Sequence, residues 1–340
     1  MVGDNCAGSA KSINLRLLCC YERVNPKCPG PRLMDDMRRP RPNRTVAVLD
    51  DRVNGPQLLS AWAGHWTGAG TGVTVIVPPP GTTGAGEVRG GAPATREFAL
   101  LEPTRLVDRV DAVVLSGGSA FGLAAADGAM GVLRERGAGF PTPFGPVPIV
   151  VGMSVFDASV AGVPPDAASG RSAMLAALGG EHFTLGAVGA GAGASTGKWR
   201  NRLDPGGVGM ARASAGPASV VAVAVVNAWG DVLGPGGRPL FAADEAPAAA
   251  PPPGSPLLAN TTVAVVLTDA RLTKNDCFLL AQSGHTGFAR ALHPAHSRYD
   301  GDAVVALATG EVAAQVSVDE LRAVTAEAMA AAIRNAVARD

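Results

Sequence analysis

Five runs of β-branched and small apolar residues set the terms on which this chain folds. Val73–Val77 (VTVIV), Asp111–Leu115 (DAVVL), Ser219–Val226 (SVVAVAVV), Thr262–Leu267 (TVAVVL) and Ala303–Leu307 (AVVAL) each read as a strand. The first is stopped by Pro78-Pro79-Pro80, and the Ser219 run is long enough for a fully buried strand ending at Asn227. Val147–Val151 is a sixth candidate. Between them lie helical patterns. A small-residue helix is predicted from about Ala120 to Arg136, after the turn Ser116-Gly117-Gly118-Ser119. A second runs from Thr273 to Leu292, with Cys277, Leu280, Ala281 and Phe288 on one face. The third, Ser317 to Val337, opens on Ser317 with Glu320 three residues on, a capping box. Strands that alternate with helices predict a layered α/β domain with one core. The 44 glycines and the scarcity of aromatics (4%) suit layers packed closely through small side chains.

Charge and composition exclude several functions. The 29 basic and 29 acidic residues cancel, so the global basic excess of a nucleic-acid binder is missing. At 47% hydrophobic and 17% charged the chain is too apolar for disorder. No window approaches ~18 uninterrupted apolar residues, so no transmembrane helix is expected. The first 45 residues differ from the rest: they hold nine basic residues against four acidic and four of the five cysteines. The spacing of Cys6, Cys19, Cys20 and Cys28 fits no zinc template, and the run Leu15–Cys20 is too short for a secretory core. Residues 1–45 are read as a disordered extension and 46–340 as the single folded domain. With only Cys277 beyond that extension, no disulfide framework exists, which fits a reducing, cytoplasmic setting.

Several motifs tempt and fail. Gly189–Ala194 (GAGAGA) lacks the following helix and the acid ~20 residues on that a dinucleotide fingerprint requires. Gly197-Lys198 is followed by Trp199 where a P-loop needs Ser or Thr. Ser119 is one place out of register for a nucleophile elbow. His285, His293 and His296 have no Cys or Glu at ligand spacing, and a charge role at a helix C-terminus is expected instead. No metal or cofactor is expected.

Asn260-Thr261-Thr262 carries more. A Pro/Ala-rich spacer, Ala246–Pro256, delivers this step to the start of a buried strand. A threonine hydroxyl is a poor nucleophile without a neighbouring base. Making it the chain's own N-terminus supplies one, because an α-amine has a reference pKa of ~7.7–8.0, against ~10.4 for lysine. The hydroxyl of Thr261 can cut the preceding bond by attacking the Asn260 carbonyl. A plain Thr pair opening a strand is the competing reading.

The wider pattern resembles the β-aminopeptidase (DmpA-type) and endo-type nylon-oligomer (6-aminohexanoate-oligomer) hydrolases, a family of N-terminal-nucleophile enzymes. The matching segments stand in order from about residue 66 to the C-terminus: PPPG at 78–81, RGGAP at 89–93, LSGGSAFGL at 115–123, ASTGK at 194–198, VVN at 225–227, NTT at 260–262 and HPAHSRYDGD at 293–302. The resemblance implies a four-layer αββα sandwich. It implies self-cleavage between Asn260 and Thr261 into chains 1–260 and 261–340 that stay together. It makes Thr261 the nucleophile, with Asp300 and Asp302 as the acids that position it. Lys198 and Asn227 fall at positions close to the nucleophile, and the Asn227 amide suits an oxyanion donor. Gly117 and Gly118 are expected to offer backbone N–H groups to substrate. Phe156 stands where the family often carries a tyrosine, which implies altered substrate contacts. The implied substrate is a small peptide or ω-amino amide, and the implied assembly a homo-oligomer, commonly a tetramer. Two alternatives stay open: an acyl transferase of the ornithine acetyltransferase type, and a non-catalytic protein of the same fold.

Overall fold

In the computed structural model, which describes residues 58–241, 259–313 and 315–338, the long apolar runs form strands covered on both faces. Ala218–Asn227 shows why. Val221, Val223 and Val225 point one way, and Val220, Ala222, Ala224 and Val226 point the other, all buried. Alternate residues of a strand face opposite sides, so such a sequence needs a layer above and a layer below. Each fully buried Val contributes ~1.5–3 kcal/mol.

Ten strands build two sheets. In chain order they are β1 (Trp62–Gly68), β2 (Thr71–Val77), β3 (Thr83–Val88), β4 (Thr95–Arg96), β5 (Ala112–Ser116), β6 (Val150–Ser154), β7 (Gly207–Ala215), β8 (Ala218–Asn227), β9 (Thr261–Ala270) and β10 (Ala303–Val312). The first sheet runs β1-β2-β5-β6-β4 and the second β3-β10-β9-β8-β7. The pairs β5/β6 and β9/β10 are parallel, and the other neighbours antiparallel. The sheets face each other across a core of Ile76, Leu115 and Val151 from one and Val223, Val265 and Val305 from the other. Helices α1 (Ala125–Glu135) and α2 (Ala167–Gly179) cover the outer face of the first sheet. Helices α3 (Lys274–Ala291) and α4 (Val318–Asn335) cover the second. The order is helix, sheet, sheet, helix, the expected αββα sandwich.

Local chemistry sets the boundaries. Thr273 caps α3, with a reciprocal bond from Asp276. Ser317 caps α4 by accepting from the Glu320 N–H, the first half of the expected box. The strand expected at Val147–Val151 begins three residues later, at Val150. Val147 pairs with Phe140 instead, and Pro148 supplies no N–H to a ladder, so pairing with β5 starts at Val150. The helix expected over 120–136 is two pieces, a single turn Ser119–Gly122 and then α1. The Ser116 hydroxyl donates to the Gly122 carbonyl at 2.9 Å, at the end of that first turn. Residues 1–45 and the 246–256 spacer lie outside the described residues. Among the described residues no helix is long and apolar enough to cross a membrane.

Helices α1 and α2 touch backbone to backbone. A Cβ at Gly128 would collide with the Ala167 carbonyl, and one at Gly170 with that of Ala125. Gly131, also in α1, has open space. Gly128→Val should therefore cost ~1–3 kcal/mol of stability by overpacking, whereas Gly131→Ala should gain ~0.5–1 kcal/mol. Urea unfolding of the two variants checks both signs.

Candidate active site

The register of β9 with its neighbours assembles the site. Thr261, the first residue of β9, sits opposite Asn227, the last of β8. Val263 pairs with Ala303 on the other side, so the Asp300–Asp302 turn enters β10 beside Thr261. Thr261, Val263 and Val265 alternate onto the same face, so the Thr261 side chain lies between the sheets. It is buried. Its hydroxyl donates to the Asn260 carbonyl and accepts the Gly301 N–H at 3.2 Å. Both partners are backbone. Among the described residues no side chain stands within hydrogen-bond distance to act as its base.

The loop carrying Lys198 is pinned beside the end of β8 by Gly197 N–H to Gly230 O and Trp199 N–H to Trp229 O, both 3.0 Å. This brings the fully buried Lys198 ammonium to three oxygens: Asn227 Oδ1 at 2.7 Å, Ala259 O at 2.7 Å and Asn227 O at 3.2 Å. Three acceptors satisfy an ammonium's three protons. Burial lowers the Lys198 pKa to about 7, opposed in part by the charge of Asp300. The Asn227 amide is fully engaged. Its Oδ1 takes Lys198 and the Ser195 N–H, and its Nδ2 donates to Phe156 O at 2.7 Å and Ala259 O at 3.3 Å. Lys198 and Asn227 thus converge on the Ala259 carbonyl, one residue before the Asn260–Thr261 bond.

The two acids are held differently. Asp300 accepts from Ser297 Oγ (2.5 Å), Ser297 N–H (3.0 Å) and Trp229 N–H (3.3 Å). Burial and the neighbouring Asp302 raise its pKa to about 7. Asp302 accepts the Thr262 N–H at 2.8 Å, and its other oxygen takes the His296 N–H at 3.1 Å and Nδ1 at 2.8 Å. Asp302 therefore grips the backbone next to Thr261 and Asp300 that of Ser297 and Trp229, and neither touches the Thr261 hydroxyl.

Three sequence expectations change here. Gly117 and Gly118 have no N–H to give a substrate: the first donates to Gly72 O at 2.9 Å and the second to Asp157 Oδ1 at 3.1 Å. Their turn brings Ser119 to the cleft instead. His285 and His296 have no role at a helix end. His285 lies inside α3, bonded to Glu87 O at 3.1 Å, and burial drives its pKa to about 3, leaving it neutral. His296 secures Asp302, and only its place in the HPAHSRYDGD run pointed that way. Phe156 reaches the site through its backbone carbonyl as well as its ring, which faces a cleft of ≈ 310 Å³ beside Thr261.

The sequence pattern of peptidase family S58 matches residues 53–339. The chain belongs to peptidase family S58. As a member it is an amide-bond hydrolase. An "uncharacterized aminopeptidase" of Mycobacterium tuberculosis is 44% identical over 291 residues, covering 80% of this chain and 83% of that one. The 6-aminohexanoate-oligomer endohydrolase of an Agromyces species is 32% identical over 273 residues, covering 75% and 74%. Among solved structures, a Burkholderia β-aminopeptidase superposes with a TM-score of 0.62 at 24% identity, over 81% of this chain and 83% of that one. The L-aminopeptidase D-Ala-esterase/amidase of Ochrobactrum anthropi, described as a variant of the Ntn hydrolase fold, gives 0.63 at 18% identity and covers 84% of both. The shared architecture is that of Ntn hydrolases.

Two expectations follow for this S58 peptidase. Asp300 is protonated below about pH 7, and Lys198 loses its charge above about pH 7. Turnover measured against pH should therefore rise as Asp300 ionises and fall as Lys198 deprotonates, giving a narrow maximum near neutrality. Asp300→Asn should displace the acid limb in whatever rate remains, leaving the limb of the Thr261 α-amine. A Cβ at Gly301 would stand 2.7 Å from Thr261 Oγ1. Gly301→Ala should then lower turnover ~100-fold by displacing the Thr261 hydroxyl, with folding verified by circular dichroism.

Proposed function

We propose that the chain is a self-processing N-terminal-threonine amide hydrolase. The observation that carries the reading is the Thr261 hydroxyl: it touches the carbonyl of the bond before it and has no side-chain base beside it. Cutting that bond places the α-amine of Thr261 next to its own oxygen, which is the missing base.

The chemistry balances as follows. Thr261 Oγ attacks the Asn260 carbonyl carbon, and the C–N bond breaks. The hydroxyl proton passes to the departing nitrogen, leaving an ester on Oγ and a free amine. Water then hydrolyses the ester to an Asn260 carboxylate and restores the hydroxyl. In each later turnover the amine accepts the hydroxyl proton as Oγ attacks a substrate amide. The leaving amine departs with that proton, and water admitted by the same base releases the acid. Release of the Ala259 end would vacate the position on which Lys198 and Asn227 converge, and a substrate carbonyl oxygen is the natural successor there. Asp300 and Asp302 keep the turn that supplies the Gly301 N–H in place.

The relatives' names support two substrate classes, peptides with a free N-terminus and linear ω-amino amides. The buried Cys277, its thiol pushed up to about 12, is compatible with a reducing cytoplasm. Intact mass under denaturing conditions tests the central claim. Wild type should separate into two chains, the smaller of about 8 kDa, 80 of the 340 residues of a 34.2 kDa chain, beginning at Thr261. Thr261→Ala should remain one chain and hydrolyse no amide, and Thr261→Ser should still cut. A wild-type chain that stays whole on prolonged incubation overturns the reading and favours a binding protein.

A further inference from the structure

The cleft beside Thr261 has an uneven charge. Of the side chains lining it, only Arg298 is ionic, and among the described residues no acid faces it. Asp300 and Asp302 are not part of its lining, and the oxygens of each point to the donors that hold the turn. The serines add no charge, and Ser154 is turned inward, donating to Gly117 O at 2.8 Å. A substrate ammonium entering here meets no carboxylate. A substrate carboxylate meets a guanidinium.

Arg298 is prepared for that contact. Three other arginines of the domain are neutralised: Arg200 by Asp231 at 2.6 Å, Arg202 by Asp204 at 2.9 Å and Arg96 by Asp127 at 2.6 Å. Arg298 is exposed and makes no ion pair among the described residues. Its backbone is fixed, because the Gly91 N–H bonds Ser297 O at 3.2 Å and a Cβ on Gly91 would lie 2.7 Å from the Arg298 Cα. Its head stands 5.6 Å from the centre of the Tyr299 ring, which itself packs edge-on to Trp229 at 5.5 Å. Stacking on an anchored aromatic limits the guanidinium's freedom while leaving its five donors open. That arrangement suits a bidentate acceptor.

We propose that this cleft selects amides that carry a free carboxylate near the scissile bond, with Arg298 as the specificity-determining group. The inference deepens the amide-hydrolase reading and rests on it. It sets acidic-ended amides, such as N-acyl amino acids or linear ω-amino acid oligomers, above neutral ones. Arg298 is remote from the bonds that change, so its effect belongs in KM more than in kcat.

The test compares the linear dimer of 6-aminohexanoate with the same dimer capped as a C-terminal carboxamide, on wild type, Arg298→Gln and Arg298→Lys. Wild type should prefer the carboxylate by about tenfold in kcat/KM at low salt, and the preference should shrink as salt screens the charge. Arg298→Gln should erase the preference through KM, and Arg298→Lys should keep part of it. No preference in wild type, or one that survives in Arg298→Gln, overturns the proposal. If neither dimer is cleaved, the hydrolase reading is what fails for these amides, and binding still decides the site. Hexanoate should then bind wild type about tenfold more tightly than hexanamide by calorimetric titration, and equally in Arg298→Gln. Equal binding to wild type overturns it.

Discussion

The register of Thr261–Ala270 between its two neighbours governs the site. Side chains of a strand alternate between faces, so a slip of one residue would turn Thr261 into the helix layer and bring Thr262 between the sheets. What prevents the slip is the burial of both faces: Val263, Val265 and Leu267 fill the space between the sheets, and Ala264 and Val266 the space under the helices. A displaced register would exchange large side chains for small ones along the whole strand. The position of Thr261 is thus set by packing that extends far from its hydroxyl. Asp302, bonding the Thr262 N–H, fastens the strand at its first turn of the ladder.

The site is bought with unfavourable burial. Lys198 and Asp300 are ionisable groups withdrawn from water, and their pKa values converge on about 7 from opposite sides. A fold seeking only stability would replace them with apolar groups. Here each is held by a full set of partners, so the structure keeps charge that is close to being lost. Regions where local rules are broken and carefully compensated are where function is expected.

Much of this was legible in the chain. The apolar runs marked β2, β5, β8, β9 and β10, because a strand covered on both faces has a near-continuous apolar sequence. Other elements were hidden for physical reasons. Strand β1 (WAGHWTG) and β3 (TGAGEV) are rich in glycine and polar residues, and their pairing comes from tertiary contact more than propensity. Helix α2 (AASGRSAMLAALG) has small residues all round, so no apolar stripe announces it. Thr261, Asn227, Lys198 and the two aspartates, which the fold brings together, were singled out through motif and resemblance. What they touch was not: that the aspartates hold backbone, that His296 supports Asp302, and that the Gly117–Gly118 amides are already engaged all depend on contacts between distant segments.

The second sheet interleaves its strands by origin. Strands β9 and β10 lie side by side in its middle, flanked by β3 on one edge and β8 and β7 on the other, and the C-terminal segment also supplies both helices on its outer face. A chain severed before Thr261 would leave an inserted wedge with no covalent tether. Its two pieces would hold together as long as the sheet held, yet once parted the larger would face solvent with a gap two strands wide. Assembly of such a molecule is a one-way history, written while the polypeptide is whole, and its endurance afterwards is a matter of how slowly the sheet opens rather than of any balance with an unfolded state.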